Sequence, residues 1–395
     1  MEIVEQIQLK PTLELATLCH HAKNLYNEAN FHFRQFFYNI GELVNYYDLQ
    51  EILKTYPCYR ALPAQTAQHT LKLLIQNWYS YFKALREYKI KSSKFLGCPR
   101  PPNYKPKNGE SIAIFTNQNT RLKGGFIYFP KSTHLPPVKT RITYYQQVRV
   151  VPKGYGYVAE IVYEKQELDL KLSPGRVVGI DLGVDNLVTM VNNIGVHPII
   201  IKGGVAKSAN QFYNKVNACL QSAKDRQKCE FQTKRQLKLL KKRNNKVHNF
   251  FHAVSRVIVN YCIERDIGRI AIGYNAGWKQ GMNLGRKNNQ NFTQLPLAKL
   301  VQMVACKARL VGIEVVQVNE SYTSKCSALD REEVCKHDKY CGKRVMRGLF
   351  RSAGGVAINA DVNAAYNILR KAFPESLPRG YGIAGLALVP SSVAI

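Results

Sequence analysis

Acidic residues are scarce in this sequence: 27 Asp and Glu stand against 57 Lys and Arg, a formal net charge of +30. A surface made soluble by mixed charge needs far less, about 2 to 8 net charges for a small domain. Self-repulsion at this level opposes compaction unless a polyanion neutralises it, and nucleic acid is the expected polyanion. Long apolar runs and lipidation motifs are lacking as well, so no membrane association is expected. The first nine residues alternate apolar and polar side chains, with neither the basic start nor the apolar core of a signal peptide, and read as a strand. None of the ten cysteines stands in a CxxC pair. Most read as reduced core thiols of a cytoplasmic protein. No internal repeat is visible.

What is present is a chain of 395 residues, 45% hydrophobic, long enough for two or three domains with their own cores. Residues 11–109 hold two long apolar stripes at helical spacing, the second over 64–88 with Leu71, Leu74, Ile75, Trp78, Phe82 and Leu85, followed by a basic, proline-rich connector. Lys83, Arg86, Lys89, Lys91 and Lys94 follow Trp78 and Phe82; the charges are assigned to nucleic acid and the apolar stripe to packing. Alternating segments at 112–115, 125–129, 147–152 and 157–163, with residues 1–10, predict a small β-barrel into which the helical region is inserted. A linker with a Pro174-Gly175 turn, over 168–176, ends this half.

From residue 169 onward, strand and helix patterns alternate. Strands are expected at 176–182, 187–192, 269–273 and 313–318, and helices over 210–264 in two antiparallel pieces, 296–311 and 361–372. Ten Lys and Arg against two acids between Gln221 and His248 predict a phosphate-binding track, with Lys234, Arg235, Lys238, Lys241, Lys242 and Arg243 as its contacts. Arg344 and Arg347 are expected to hold the substrate strand, and residues 374–395, rich in Pro, Gly and Ser, to be a disordered tail.

Two segments carry the chemistry. In Val178-Gly179-Ile180-Asp181-Leu182-Gly183 an apolar run drives into an aspartate and a glycine turn. In Asn359-Ala360-Asp361-Val362 an aspartate opens an amphipathic helix. Taken singly, Asp181 reads as a turn residue and Asp361 as a helix cap. Together, in this order, they are the parts with which an RNase H-like nuclease holds magnesium: hard cations take carboxylate oxygens, and two ions about 4 Å apart suffice for phosphodiester hydrolysis.

Asp181-Leu182-Gly183-Val184-Asp185-Asn186-Leu187, Thr323-Ser324-Lys325 and Asn359-Ala360-Asp361-Val362-Asn363 resemble the TnpB proteins of insertion sequences, relatives of type V CRISPR effectors. Lys202-Gly203-Gly204, Lys207-Ser208, Asn214-Lys215, Gly277-Trp278-Lys279-Gln280 and Asn291-Phe292 resemble one lineage of that family. The resemblance implies a fold of α/β plus α+β type: a RuvC (RNase H-like) nuclease domain over 169–373, following a wedge-like β-barrel (1–10 and 110–168) with an inserted helical recognition domain (11–109). It implies an RNA-guided DNA endonuclease that takes a guide RNA from the element's end, opens double-stranded target DNA beside a short motif, and cuts it with two Mg2+ ions. The alternatives are a nuclease-inactive RNA-guided DNA-binding repressor and a non-cutting accessory protein of transposition.

The sequence departs from the family at two places. Most members carry a glutamate, the middle metal ligand, on the strand where this chain reads Arg269-Ile270-Ala271-Ile272-Gly273. Glu320, at the end of the next strand, is the expected replacement. Two strand spacings, about 9 to 10 Å, separate it from the Asp181 strand, and Gly273 has no side chain to obstruct it. Asp185 is the reserve. Many relatives also have two CxxC pairs in the region corresponding to 321–358. Here Cys326, Cys335, His337 and Cys341 are irregularly spaced and Ser327-Ala328-Leu329-Asp330 intervenes, so the finger reads as degenerate and zinc as absent.

Overall fold

The computed structural model describes residues 1–275, 290, 294–376 and 389–395, in two compact units, 1–165 and 166–395. Gly277, Trp278, Lys279, Gln280, Asn291 and Phe292, which carry part of the family resemblance, lie outside the described residues.

In the first unit, strand β1 (Glu2–Leu9) precedes helices α1 (Leu13–Gln35), α2 (Tyr46–Leu53), α3 (Pro57–Arg60) and α4 (Ala64–Ile90). Strands β2 (Ala113–Thr116), β3 (Arg121–Lys123), β4 (Phe126–Tyr128), β5 (Val138–Lys139), β6 (Gln147–Lys153) and β7 (Gly156–Glu164) follow. Thr12 caps α1 by accepting from the Leu15 amide, and Asn45 caps α2. The apolar stripe of α4 is core: Trp78 is fully buried, stacked on Phe33 at 4.4 Å, with its indole N–H donated to Asn30. The connector is strapped along α1 by a polar ladder. Lys23, Asn27, Asn30 and Arg34, one helical turn apart, donate to the carbonyls of Lys107, Lys105 and Pro102. The expected barrel is resolved into two sheets, β1-β7-β6-β2 and β3-β4-β5, whose inner faces share Ile127, Val138, Val148 and Ile161. Strands β3 and β5 escaped the sequence reading because two or three residues are too few to display an alternation.

The second unit is built on a six-stranded sheet. Its strands are β8 (Ser173–Leu182), β9 (Asn186–Asn192), β10 (Ile199–Lys202), β11 (Ile267–Gly273), β12 (Glu314–Val318) and, later in the chain, β16 (Ser391–Val393). They lie in the order β12-β11-β8-β9-β10-β16. Strands β8, β11 and β12 are parallel, and β8, β9 and β10 form an antiparallel meander. Pro174 and Gly175 lie inside β8, not in a turn. The disordered tail is corrected at its end, where β16 pairs parallel with β10.

Helices α5 (Gly204–Arg226), α6 (Lys234–Glu264) and α7 (Leu297–Arg309) join the strands, α6 opening with a Thr233/Gln236 capping box. A small sheet of β13 (Lys343–Met346), β14 (Leu349–Arg351) and β15 (Ala357–Asn359) leads into α8 (Ala360–Ala372).

Alternation along β8 sends its side chains to opposite helix layers. Val178, Ile180 and Leu182 pack with Phe250, Phe251 and Val254 of α6 and Leu300, Val301 and Val304 of α7. Val177 packs with Ala365 and Leu369 of α8. At Gly179 the helix comes so near that an added Cβ would lie 2.5 Å from the Ala365 carbonyl and 2.6 Å from the Leu369 Cβ. Gly179 is therefore what lets α8 settle on β8. Gly179→Ala is expected to cost about 1–3 kcal/mol, read as a lower urea midpoint. Gly204→Ala, where an added Cβ meets nothing within 4 Å, serves as the neutral control.

Candidate functional site

Asp181 occupies the penultimate position of β8, in register with Thr189 of β9, so it is a strand residue and not part of the turn. Period two puts it on the face of Val177 and Gly179, under α8. Directly after it, Gly183 permits a tight return, because an added Cβ there would sit 2.5 Å from the Asn186 carbonyl.

Asp361 is in the first turn of α8, but it does not cap the helix. Asn359 does, accepting from the Asp361 and Val362 amides at 3.0 and 3.2 Å. The Asp361 carboxylate is left for other partners. The Asn186 amide donates to its Oδ2 at 2.6 Å, Lys202 Nζ holds Asn186 Oδ1 at 2.9 Å, and Arg344 Nη2 lies 4.0 Å from its Oδ1.

Glu320 follows β12, its amide anchored to Asn275 Oδ1 at 3.0 Å and its carbonyl accepting from Thr323 Oγ1 at 2.8 Å. Its side chain folds over Gly273. A Cβ on that glycine would lie 2.8 Å from both Glu320 Cγ and Oε1, and 2.4 Å from Ile368 Cδ1. A strand glycine and a glutamate on the neighbouring turn thus fill one space between them. Glu320 Oε1 is buried without a hydrogen-bond partner.

The Asp181 carboxylate feels the other two acids. Burial raises the Asp181 carboxyl well above the usual range, Glu320 and then Asp361 push it further, and Arg344 opposes them. Burial alone pushes Glu320 up to about 7. Among the described residues no three His, Cys, Asp or Glu side chains enclose a single metal point. Magnesium asks for less, since it keeps its waters and is held by one or two carboxylates plus substrate oxygens. An orphaned buried carboxylate oxygen beside two further acids suits such an ion. Asp185 is committed elsewhere, paired with Lys207 Nζ at 2.5 Å and with Arg347. Those partners hold its carboxyl below the usual range.

Of the expected phosphate contacts, Lys234, Arg235, Lys238 and Lys242 are exposed on α6 and Lys241 is half-buried. Arg243 departs from the track. Its guanidinium donates to Asn210 at 2.6 Å, to Asn244 at 2.8 Å and to the Gln294 carbonyl, and so clamps α5 to α6.

In the 321–358 region, the Cys335 thiol lies 3.3 Å from His337 Nε2, and the Cys326 thiol donates to the Cys335 carbonyl at 3.5 Å, while Cys341 is exposed. The loop is organised by the buried Glu332 carboxylate, which accepts from the Ser327 and Cys341 amides at 2.7 and 2.9 Å. Asn363 and Asn367 of α8 fasten the same loop through the Cys326 and Thr323 carbonyls. Sequence reasoning missed Asn186 and Lys202 as orienting residues. Their one signal was polarity directly after the glycine turn and at the end of an isoleucine run.

This sheet order, with acids on one face, defines a RuvC-like fold. The cryo-EM structure of a Cas12f1–sgRNA–target DNA complex superposes with a TM-score of 0.54 at 16% identity, over 89% of this chain and 81% of that one. Residues 160–279 match the OrfB_IS605 family, described as "Probable transposase", and residues 298–368 the Cas12f1-like TNB domain. Over 91% of its length the chain is 24% identical to the TnpB-like protein ORF457 of Acidianus two-tailed virus, covering 83% of that protein. Over 55% of its length it is 27% identical to the CRISPR-associated endodeoxyribonuclease Cas12f2 of Micrarchaeota archaeon (strain CG1_02_47_40), covering 40% of that protein. Together these matches support a TnpB-family protein related to Cas12f.

The raised carboxyls have a measurable consequence. An acid whose folded pKa exceeds its unfolded one leaves stability intact below the unfolded value and erodes it as pH climbs through the folded value. For Glu320, rising from 4.5 to about 7, the erosion is about 3 kcal/mol by pH 8. In EDTA, Glu320→Gln is expected to have a higher urea midpoint than the parent at pH 8 and the same midpoint near pH 4.5.

Proposed function

We propose that this protein is an RNA-guided endodeoxyribonuclease that cuts double-stranded DNA at the Asp181, Glu320 and Asp361 centre. The observation that carries the reading is the seating of Glu320 over Gly273, beside Asp181, on the sheet face covered by α8. It gives the family's missing strand acid a replacement at the same place, and it weighs against the nuclease-inactive repressor.

In this reading Asp181, Glu320 and Asp361 hold two divalent ions. Such ions activate water and stabilise the leaving oxygen when bound. Asn186 fixes the Asp361 carboxylate, and Lys202 fixes Asn186. Arg344 brings positive charge to the edge of the acid cluster, where a phosphate must enter. The two sheets of residues 1–10 and 110–168 serve as the wedge, and the helices of 11–109 as the recognition layer for guide RNA and target DNA. Net charge supports both partners, as does the resemblance to relatives described as a CRISPR-associated endodeoxyribonuclease and a Cas12f1–sgRNA–target DNA complex.

The test is a ribonucleoprotein purified with its co-expressed RNA, incubated with target plasmid in Mg2+ or EDTA. Glu320→Ala and Asp181→Ala are expected to give no cleavage while retaining the co-purified RNA. Asn186→Ala, which leaves the acids intact, is expected to slow cutting by about 10- to 100-fold. Full cutting by Glu320→Ala would remove that residue from the centre. Cutting that persists in EDTA would remove the cation.

A further inference from the structure

The strands on either side of β8 each place one residue level with Asp181. Gly273 of β11 stands on one side, since Ile272 pairs with Ile180. Thr189 of β9 stands on the other, in register with Asp181 itself, and beyond it comes Ile200 of β10. Residues directly opposite on an antiparallel pair share a face of the sheet, so the Thr189 side chain is on the α8 side with Asp181.

Thr189 is out of character for its surroundings. Strand β9 reads Leu187-Val188-Thr189-Met190-Val191, and the four apolar neighbours are buried. Thr189 is 0% exposed, and its hydroxyl is buried without a hydrogen-bond partner. A buried O–H with nothing to accept it opposes folding, and valine would fill the same volume on a strand without that cost. Packing therefore gives no reason for the hydroxyl. Of the side chains level with it on β8 and β10, Asp181 can accept a hydrogen bond and Ile200 cannot.

Donors are divided unequally among the acids. The Asp361 carboxylate accepts from Asn186 at 2.6 Å and has Arg344 4.0 Å away. The Glu320 side chain is seated by packing over Gly273. Burial and charge act on Asp181, and among the described residues no hydrogen bond does. A donor without an acceptor thus stands directly beside an acceptor without a donor. Cβ atoms so paired are about 4.5–5.5 Å apart. Rotation of either side chain between staggered wells can close that gap to an O–H···O⁻ bond of about 2.5–2.7 Å.

We infer that Thr189 positions Asp181: with a divalent cation bound, its hydroxyl donates to one Asp181 oxygen and leaves the other aimed at the ion. The inference rests on the reading of Asp181 as an ion ligand. A carboxylate repelled by two further acids and free to swing about its Cα–Cβ bond presents either oxygen. One fastened by a neighbouring hydroxyl presents a single oxygen, and a residue outside the ligand set raises affinity in this way.

The test reads ion binding and stability, not cleavage. Full-length protein is titrated with Mn2+, which takes the same oxygen ligands as Mg2+, and the free ion is followed by its EPR signal. Thr189→Val is expected to weaken binding about tenfold. Thr189→Ser, which keeps the hydroxyl, is expected to bind within about twofold of the parent, and Asp181→Ala to lose the site. Urea midpoints in EDTA are expected to move the other way. Thr189→Val should equal or exceed the parent, because the unpartnered hydroxyl is gone, while Thr189→Ser should fall below it for want of a buried methyl. A role in packing alone would make affinity indifferent to both changes. Parental Mn2+ affinity in Thr189→Val, with binding lost in Asp181→Ala, would overturn the inference and leave the ion site standing. Serine as weak as valine would assign the effect to the methyl group and overturn it as well. Equal Mn2+ binding by the parent and Asp181→Ala would overturn the ion-ligand reading together with the inference.

Discussion

Mutual repulsion between carboxylates at the end of β8 is the constraint around which the second unit is arranged. Folding brings Asp181, Glu320 and Asp361 together from positions up to 180 residues apart in the chain and withdraws Asp181 and Glu320 largely from water, while Asp361 stays partly exposed. Nothing about stability alone would favour that. Asn186 and Arg344 compensate only Asp361 and, weakly, Asp181. The core holds the cluster closed from both sides, α8 through Gly179 and the α6–α7 layer through Val178, Ile180 and Leu182. The unit behaves as a clamp on an unfavourable arrangement of charge.

Gly273 and Glu320 share one space, so the acid beside Asp181 comes from the turn after β12 and not from β11. Parallel pairing of β11 with β12 fixes the two positions as neighbours, Gly273 opposite Val318, two residues before Glu320. The volume above the glycine is already filled by Glu320 and Ile368. An acid on β11 and an acid after β12 are therefore alternatives: restoring one on the strand would displace the other.

Legibility in the sequence followed the range of the interactions. Local periodicity gave α4, β6 and β7 to within a few residues, and the end but not the start of α6, because burial of one face leaves its spacing in the chain. Asp181 and Asp361 were legible for the same local reason, one before a glycine turn and the other in a first helical turn. The reach of Glu320 over Gly273 was legible only after the family's strand order had been supplied. What could not be read was set by distant partners. Asn186 meets Asp361 across 175 residues. Arg243 turns inward because Asn210 and the Gln294 carbonyl lie there, and nothing in a run of lysines distinguishes it. The thiols at 326, 335 and 341 read as a degenerate finger, and their spacing gave no sign that Glu332, Asn363 and Asn367 fasten the loop.

Strand β16 occupies the outer position of the large sheet, beside β10, and is joined to it by three paired residues. Without that short strand, the main-chain donors and acceptors of the Ile199–Lys202 edge would face solvent as an open template for another chain. Trimming the last seven residues to shorten the protein would therefore trade a small saving in length for a tendency to self-associate through β10. A fluorescent or affinity module appended after Ile395 leaves that edge covered.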